Sequence, residues 1–291
     1  MIVEPDQGYE PIYTLLASAK HSLDLTMYEL SDSTAEQTLA ADAVRGVSVR
    51  VLLDRDYIGS DNQPAFSYLQ AHGVEVRWAS SRVAITHEKS FVVDGAAAVI
   101  MTGNLTSRYY STTRDFAVVD RNEADVAAIE QTFDLDWADR QGTPADGSDL
   151  VWSPGSEQTL VSLIDSAHTS LLVENEEMSA SGIVGALEDA ARRGVDVELV
   201  MTRSPDWDES FDALARAGVH VRTYSPSASL YIHAKAIDVD HDRVFLGSEN
   251  FSVESMQYNR ELGLITSSPT VRSAVDKTLA SDFDHAQEWQ T

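Results

Sequence analysis

Two stretches of this chain carry the same polar residues at the same spacing, half a chain apart. His87 to Thr106 reads HEKSFVVDGAAAVIMTGNLT, and His233 to Ser252 reads HAKAIDVDHDRVFLGSENFS. His87, Lys89, Asp94, Thr102 and Asn104 answer His233, Lys235, Asp240, Ser248 and Asn250, each 146 residues on. The correspondence continues outside the motifs. Arg45-Gly46-Val47 answers Arg193-Gly194-Val195, AHGVEVR around Gly73 answers RAGVHVR around Gly218, and Arg114-Asp115 answers Arg260-Glu261. A period this long far exceeds a solenoid unit, so it marks a duplicated domain.

Each half reads as helices alternating with strands. Ile12 to Lys20 (IYTLLASAK) and Leu160 to Ala167 (LVSLIDSA) have helical apolar spacing and run into the β-prone SLDLTMY and SLLVE. Amphipathic helices follow over 35–43 and 182–192, each ending near glycine. VSVRVLLD and VDVELVMT then alternate as strands do. This order predicts an α/β sandwich with a largely parallel, mixed sheet in each half. The stretch QGTPADGSDLVWSPG, 141–155, is rich in Gly, Pro, Ser and Asp and reads as the connection. The predicted domains are therefore 1–142 and 150–291.

In both motifs the histidine and lysine open a β-prone stretch, two residues apart, so they project from one face. Thr102 and Asn104, or Ser248 and Asn250, are again two apart at the end of the following strand. A hairpin brings all four groups together. Two such sets facing each other offer two imidazoles, two ammonium groups, two hydroxyls and two amides, which is a cradle for a phosphodiester. Lysines and amides hold oxygens where negative charge gathers. One histidine can attack phosphorus while the other protonates the leaving alcohol. Asp115 and Glu261 stand 28 residues after His87 and His233 and are the candidates to hold the far ring nitrogens.

The formal net charge of −26 repels polyanions at long range and disfavours a non-specific nucleic-acid binder. The chain has no cysteine, so neither a disulfide framework nor a thiolate site is available. No Asp/Gly spacing matches a calcium loop, and neither a metal nor another cofactor is expected. No apolar run approaches the roughly 20 residues that span a bilayer. No signal peptide stands at the start, MIVEPDQ. A soluble protein is expected, in a compartment that the sequence leaves open, secretion with a removed signal included.

The twinned motif H-x-K-x4-D-x6-G-[ST]-x-N resembles the signature of the phospholipase D superfamily. The second copy matches throughout at His233, Lys235, Asp240, Gly247, Ser248 and Asn250. The first matches at His87, Lys89, Asp94, Thr102 and Asn104 and departs at Met101, where glycine is expected. The resemblance covers nearly the whole chain. It implies two similar α/β/α domains about a pseudo-twofold, with one active site at their interface. It implies metal-free chemistry through a phosphohistidine, with His87 as nucleophile and His233 as acid and then base. The motif residues Asp94, Asp240 and Gly247 are implied to be structural.

The superfamily includes phospholipases, lipid synthases and nucleases, and the motif does not choose between them. The acidic surface and the missing N-terminal anchor favour a soluble phospholipase D or transphosphatidylase acting on phospholipid headgroups, with an alcohol or water as acceptor and transient contact with a membrane surface. A nuclease is the alternative, and Arg108, Arg114 and Arg203 are candidates for a local basic cleft. Thr102, Ser248, Tyr109 and Tyr231 are the expected substrate contacts, with Tyr110 and Trp207 as further rim aromatics. One chain holds both motifs, so a monomer suffices for a complete site.

Overall fold

The structure, a computed structural model, describes residues 1–290. The first half runs β1 (Ile2–Glu4), α1 (Glu10–Leu16), β2 (Ser22–Met27), α2 (Ser33–Val44), β3 (Ser48–Leu53), α3 (Gly59–Ala71), β4 (Glu75–Trp78), β5 (Lys89–Val93), β6 (Ala97–Met101), β7 (Thr113–Asp120) and α4 (Glu123–Trp137). The second runs β8 (Leu150–Ser153), α5 (Glu157–Asp165), β9 (Ser170–Glu174), α6 (Ser181–Arg192), β10 (Asp196–Thr202), α7 (Asp208–Ala217), β11 (His220–Tyr224), β12 (Tyr231–Ile232), β13 (Ala236–Val239), β14 (Arg243–Gly247), α8 (Val253–Gln257), β15 (Glu261–Thr266), α9 (Pro269–His285) and β16 (Gln287–Glu288). Local sequence starts and stops these elements. The Asp32 carboxylate caps α2 by accepting from Thr34 N at 2.8 Å.

The sheets have matching orders, β1-β7-β6-β5-β2-β3-β4 and β8-β15-β14-β13-β9-β10-β11. β2-β3-β4 and β9-β10-β11 are parallel, as the helix–strand alternation predicts. Apart from β12, which adds parallel to β7, the remaining pairings are antiparallel, so each sheet is mixed with the antiparallel pairings in the larger share. Short hairpins account for the β5–β6 and β13–β14 pairings. The β5–β6 turn places Asp94 and Gly95 at φ +53° and +59°, and the β13–β14 turn places Asp240 and His241 at +54° and +53°. These left-handed pairs join adjacent antiparallel strands where a parallel link would need a long crossover.

Three large apolar clusters hold the molecule, beside a small fourth of Val200, Ile232 and Phe283. One lies under α1–α3 of the first half and another under α5–α7 of the second. The third combines the halves: Val92, Ile100, Phe116 and Val118 pack with Val244, Leu246, Leu262 and Leu264, closed by α4 and α9. A shared core of this kind fixes the halves relative to one another, which a site built across them requires.

Candidate active site

The segments that carry the histidines cross between the halves. Thr86 bridges Arg260 in parallel, with His87 N donating to Arg260 O and Arg260 N donating to Ile85 O, both at 2.9 Å. In the symmetric exchange β12 adds to β7, and Tyr231 N donates to Thr112 O at 2.7 Å. Asp115 follows Arg114 directly, and Glu261 follows Arg260. Each carboxylate therefore arrives beside the histidine of the opposite half. His233 Nδ1 lies 2.8 Å from Asp115 Oδ1, and His87 Nδ1 lies 2.9 Å from Glu261 Oε2. A carboxylate at Nδ1 fixes the tautomer and leaves Nε2 for chemistry.

Both carboxylates are buried and braced. Thr102 Oγ1 donates to Asp115 Oδ1 at 2.7 Å and accepts from Phe116 N at 2.9 Å. Ser255 Oγ donates to Glu261 at 2.7 Å, and Ser248 Oγ accepts from Leu262 N at 3.1 Å. Thr102 and Ser248 are thus turned away from the cleft, behind the carboxylates, and do not line it. Burial alone would raise both acids. His233 and Lys235 hold Asp115 below the usual carboxylate range, as His87 and Lys89 hold Glu261.

The lysines lie beneath the histidines. Lys89 and Lys235 are 1% and 0% exposed, and each Nζ donates to the backbone oxygen of the histidine two residues before it. Burial brings Lys89 down to about 7, with Lys235 lowering it further and Glu261 opposing. Burial also lowers His87, against the pull of Glu261.

His87, His233, Asn104 and Asn250 face one cleft of about 730 Å³. Tyr109 and Tyr231 line it and remain partly exposed. Tyr110 also reaches it, although its ring stacks on Tyr9 and its hydroxyl donates to Asp32. The two halves differ at one matched position. In the first, the Tyr28 ring stands 4.6 Å from the His87 ring and 5.0 Å from Lys89 Nζ. In the second, Glu176 takes this place, with Oε2 at 3.1 Å from Lys235 Nζ and 3.5 Å from His233 Nε2. Tyr231 donates its hydroxyl to Glu176 Oε1 at 3.1 Å. The cations around it hold Glu176 far below the usual carboxylate range although it is half-buried. Sequence reading missed Glu176; the match of SLDLTMYELS to SLLVENEEMS, which sets it against Tyr28, is the signal for it.

Of the three arginines expected at the cleft, Arg108 lines it, paired with Glu29 at 2.8 Å. Arg114 is buried and paired with Asp282 at 2.5 Å, and its counterpart Arg260 pairs with Asp136 at 2.9 Å. Arg114 on β7 thus reaches α9, and Arg260, just before β15, reaches α4, so each arginine ties its half to the last helix of the other. Arg203 pairs with Asp208 away from the cleft, and Trp207 packs on the second-half core. The carboxylates of Asp94 and Asp240 each accept three successive backbone N–H groups, from residues 20–22 and 168–170. They clamp the turn before β2 or β9 and lie outside the cleft. A Cβ on Gly247 would fall 2.6 Å from Gly263 Cα, so this crossing demands glycine. Met101 replaces it in the first half, where the strand partner is Ala117 and the side chain fills the apolar core.

Two α/β/α halves sharing a core, with a His–Lys set from each in one cleft, define a duplicated enzyme of the phospholipase D kind. The chain belongs to the phospholipase D superfamily: the family model described as "Cardiolipin synthase, PLD-like domain" matches residues 12–137 and again 160–284. Cardiolipin synthase A of Pseudomonas syringae pv. syringae (strain B728a) is 26% identical over 335 aligned positions, covering 99% of this chain and 69% of that protein. Phosphatidylserine synthase of Haemophilus influenzae Rd KW20 superposes with a TM-score of 0.72 at 14% identity, covering 96% of this chain and 84% of that one. Polyphosphate kinase of Porphyromonas gingivalis superposes with a TM-score of 0.74 at 16% identity over 97% of this chain, which spans about half, 49%, of the kinase. At these identities the two structures speak for the fold. Among the described residues no helix is long and apolar enough to cross a membrane.

Proposed function

We propose that this protein is a phosphodiester hydrolase and transphosphatidylase acting on phospholipid headgroups through a covalent phosphohistidine, without a catalytic metal. The observation that carries the reading is the crossed pairing, in which each imidazole is held at Nδ1 by a buried carboxylate of the other half. This leaves two Nε2 atoms for one phosphorus. His87 Nε2 attacks phosphorus, and the bond to the headgroup oxygen breaks as that oxygen takes a proton from His233 Nε2. An alcohol or water then gives its proton to His233 Nε2 and attacks phosphorus, and the bond to His87 breaks. The Lys89 and Lys235 ammonium groups and the Asn104 and Asn250 amides hold the charged oxygens during both displacements.

The cleft walls favour a lipid over a nucleic acid. Glu29, Glu176 and Glu177 line it, and its arginine, Arg108, is already paired. A single phosphodiester reaching the paired lysines tolerates such walls, whereas a strand of successive phosphates meets repulsion along its length. Partly exposed Tyr109 and Tyr231, with Tyr57 close by in sequence to cleft-lining Ile58, give an amphipathic rim suited to a headgroup layer.

The test offers phosphatidylcholine or phosphatidylglycerol vesicles with a primary alcohol, and single-stranded DNA in parallel, all in EDTA. Headgroup release with formation of the phosphatidyl-alcohol is expected. Cleavage of DNA with inert vesicles would overturn the lipid reading, and loss of all activity in EDTA, with the fold intact by circular dichroism, would overturn the metal-free chemistry.

A further inference from the structure

The duplication supplies an internal control for any feature that one half has and the other lacks. The turn between β13 and β14 is such a place. In the first half the matched positions are Val92 on β5, Gly95 in the turn and Glu130 on α4; the Gly95 Cα faces Glu130, whose Oε1 would lie 3.2 Å from an added Cβ. In the second half the same positions are Asp238, His241 and Asp276. An apolar strand residue has become a carboxylate, and a turn glycine has become an imidazole.

These three side chains converge, with one ligating atom of each within 4.8 Å of the others. His241 Nδ1 lies 2.7 Å from Asp276 Oδ1 and 3.9 Å from Asp238 Oδ2. Asp238 is fully buried, and neither of its carboxylate oxygens has a hydrogen-bond partner among the described residues. A buried carboxylate left without partners is costly. Arg272 makes no hydrogen bond to it: its Nη1 donates to His241 O at 2.7 Å and to Asp242 Oδ1 at 3.2 Å. Ser170 Oγ lies 3.4 Å from His241 Nε2 and steadies the ring from its far side. His241 also holds φ +53°, a backbone state that its counterpart meets with glycine.

We propose that Asp238, His241 and Asp276 form a binding site for a first-row divalent cation of the Zn²⁺ type, remote from the catalytic cleft. An imidazole with two carboxylates is a donor set for such an ion and neutralises its charge. Ligand atoms in a tetrahedral zinc site stand roughly 3.3 Å apart, which the observed 2.7 and 3.9 Å bracket. The ion ties α9 to the β13–β14 hairpin, so it supports the fold of the second half. None of the three residues lines the cleft, and the ion takes no part in turnover.

The experiment uses the full chain after EDTA treatment and dialysis. ZnCl₂ is titrated calorimetrically and in thermal melts, with MnCl₂ and CaCl₂ in parallel. One equivalent of Zn²⁺ is expected to bind, with a rise in Tm of about 5 °C at a hundredfold excess over Kd. Asp238→Val and His241→Gly, which copy the first half, should each abolish both responses. Asp238→Val removes an unpartnered buried carboxylate, so its metal-free melting should not fall, which separates loss of binding from loss of fold. No binding at millimolar Zn²⁺, the same stoichiometry and Tm rise in Asp238→Val, or preference for Ca²⁺ over Zn²⁺ would each overturn the assignment.

Discussion

Glu176→Gln is the substitution whose outcome separates an anion that competes with substrate from one that organises the site. Glu176 Oε2 lies against Lys235 Nζ at 3.1 Å and faces His233 Nε2 at 3.5 Å, positions that a phosphodiester oxygen has to share. At an effective dielectric of about 20, a fixed negative charge about 6 Å from a bound phosphate opposes it by about 2.8 kcal/mol. The Glu176 side chain is 24% exposed, and solvent and salt screen part of this. About half remains, on the order of 1.4 kcal/mol, or tenfold in affinity. Glutamine keeps the shape and a carbonyl oxygen for the Tyr231 hydroxyl while removing the charge. Inorganic phosphate, measured by calorimetry and as a competitive inhibitor, should bind Glu176→Gln about tenfold more tightly. Unchanged or weaker phosphate binding would refute the reasoning and show that Glu176 serves to position Lys235.

Asp115→Asn and Glu261→Gln should each lower kcat about 10–100-fold; in nitrogen-detected NMR, Asp115→Asn should move the His233 ring signals and leave those of His87, the reverse of pairing within one half. Gly103→Ala would bring a Cβ to 2.7 Å from Asp115 Cγ. It should reduce kcat by displacing that carboxylate and destabilise the fold by about 1–3 kcal/mol in urea melts. Lys89 lies near 7 through burial, so kcat/KM should fall as pH rises through about 7. In the kcat profile this limb should stand higher, because a bound phosphodiester favours the ammonium. Stability runs the other way: between about 7 and an unfolded value near 10.4 the unfolded chain binds the extra proton, so the Lys89 contribution improves with rising pH over that window. The stability difference between wild type and Lys89→Met at pH 7 and pH 9 measures it.

Much of this architecture was legible because duplication prints the same information twice. A lone histidine before a strand says little, but two sets of His, Lys, hydroxyl and Asn in register imply one shared chemistry. Period and turn residues gave the α/β halves, while the antiparallel pairings rest on hairpin turns whose left-handed Asp94-Gly95 and Asp240-His241 are harder to recognise in sequence. The crossed pairs were not legible. They depend on residues 85–87 and 231–232 adding as strands to the opposite half, a long-range exchange that leaves no local pattern. Arg114 reads as a free cation until Asp282, 168 residues away, takes it. Thr102 and Ser248 share their strand ends with the asparagines but turn inward, where they brace the carboxylates rather than reach substrate.

The proposed phosphohistidine on His87 is tested most directly by a burst experiment. A p-nitrophenyl phosphodiester has a leaving group that needs no proton, so His233→Asn should still form the intermediate but fail to activate water against it. This variant should release one equivalent of nitrophenolate rapidly and then stall, with the phosphoryl group recovered on His87 by peptide mass after rapid quenching. Steady turnover without a burst, or an adduct on any residue other than His87, would contradict the mechanism.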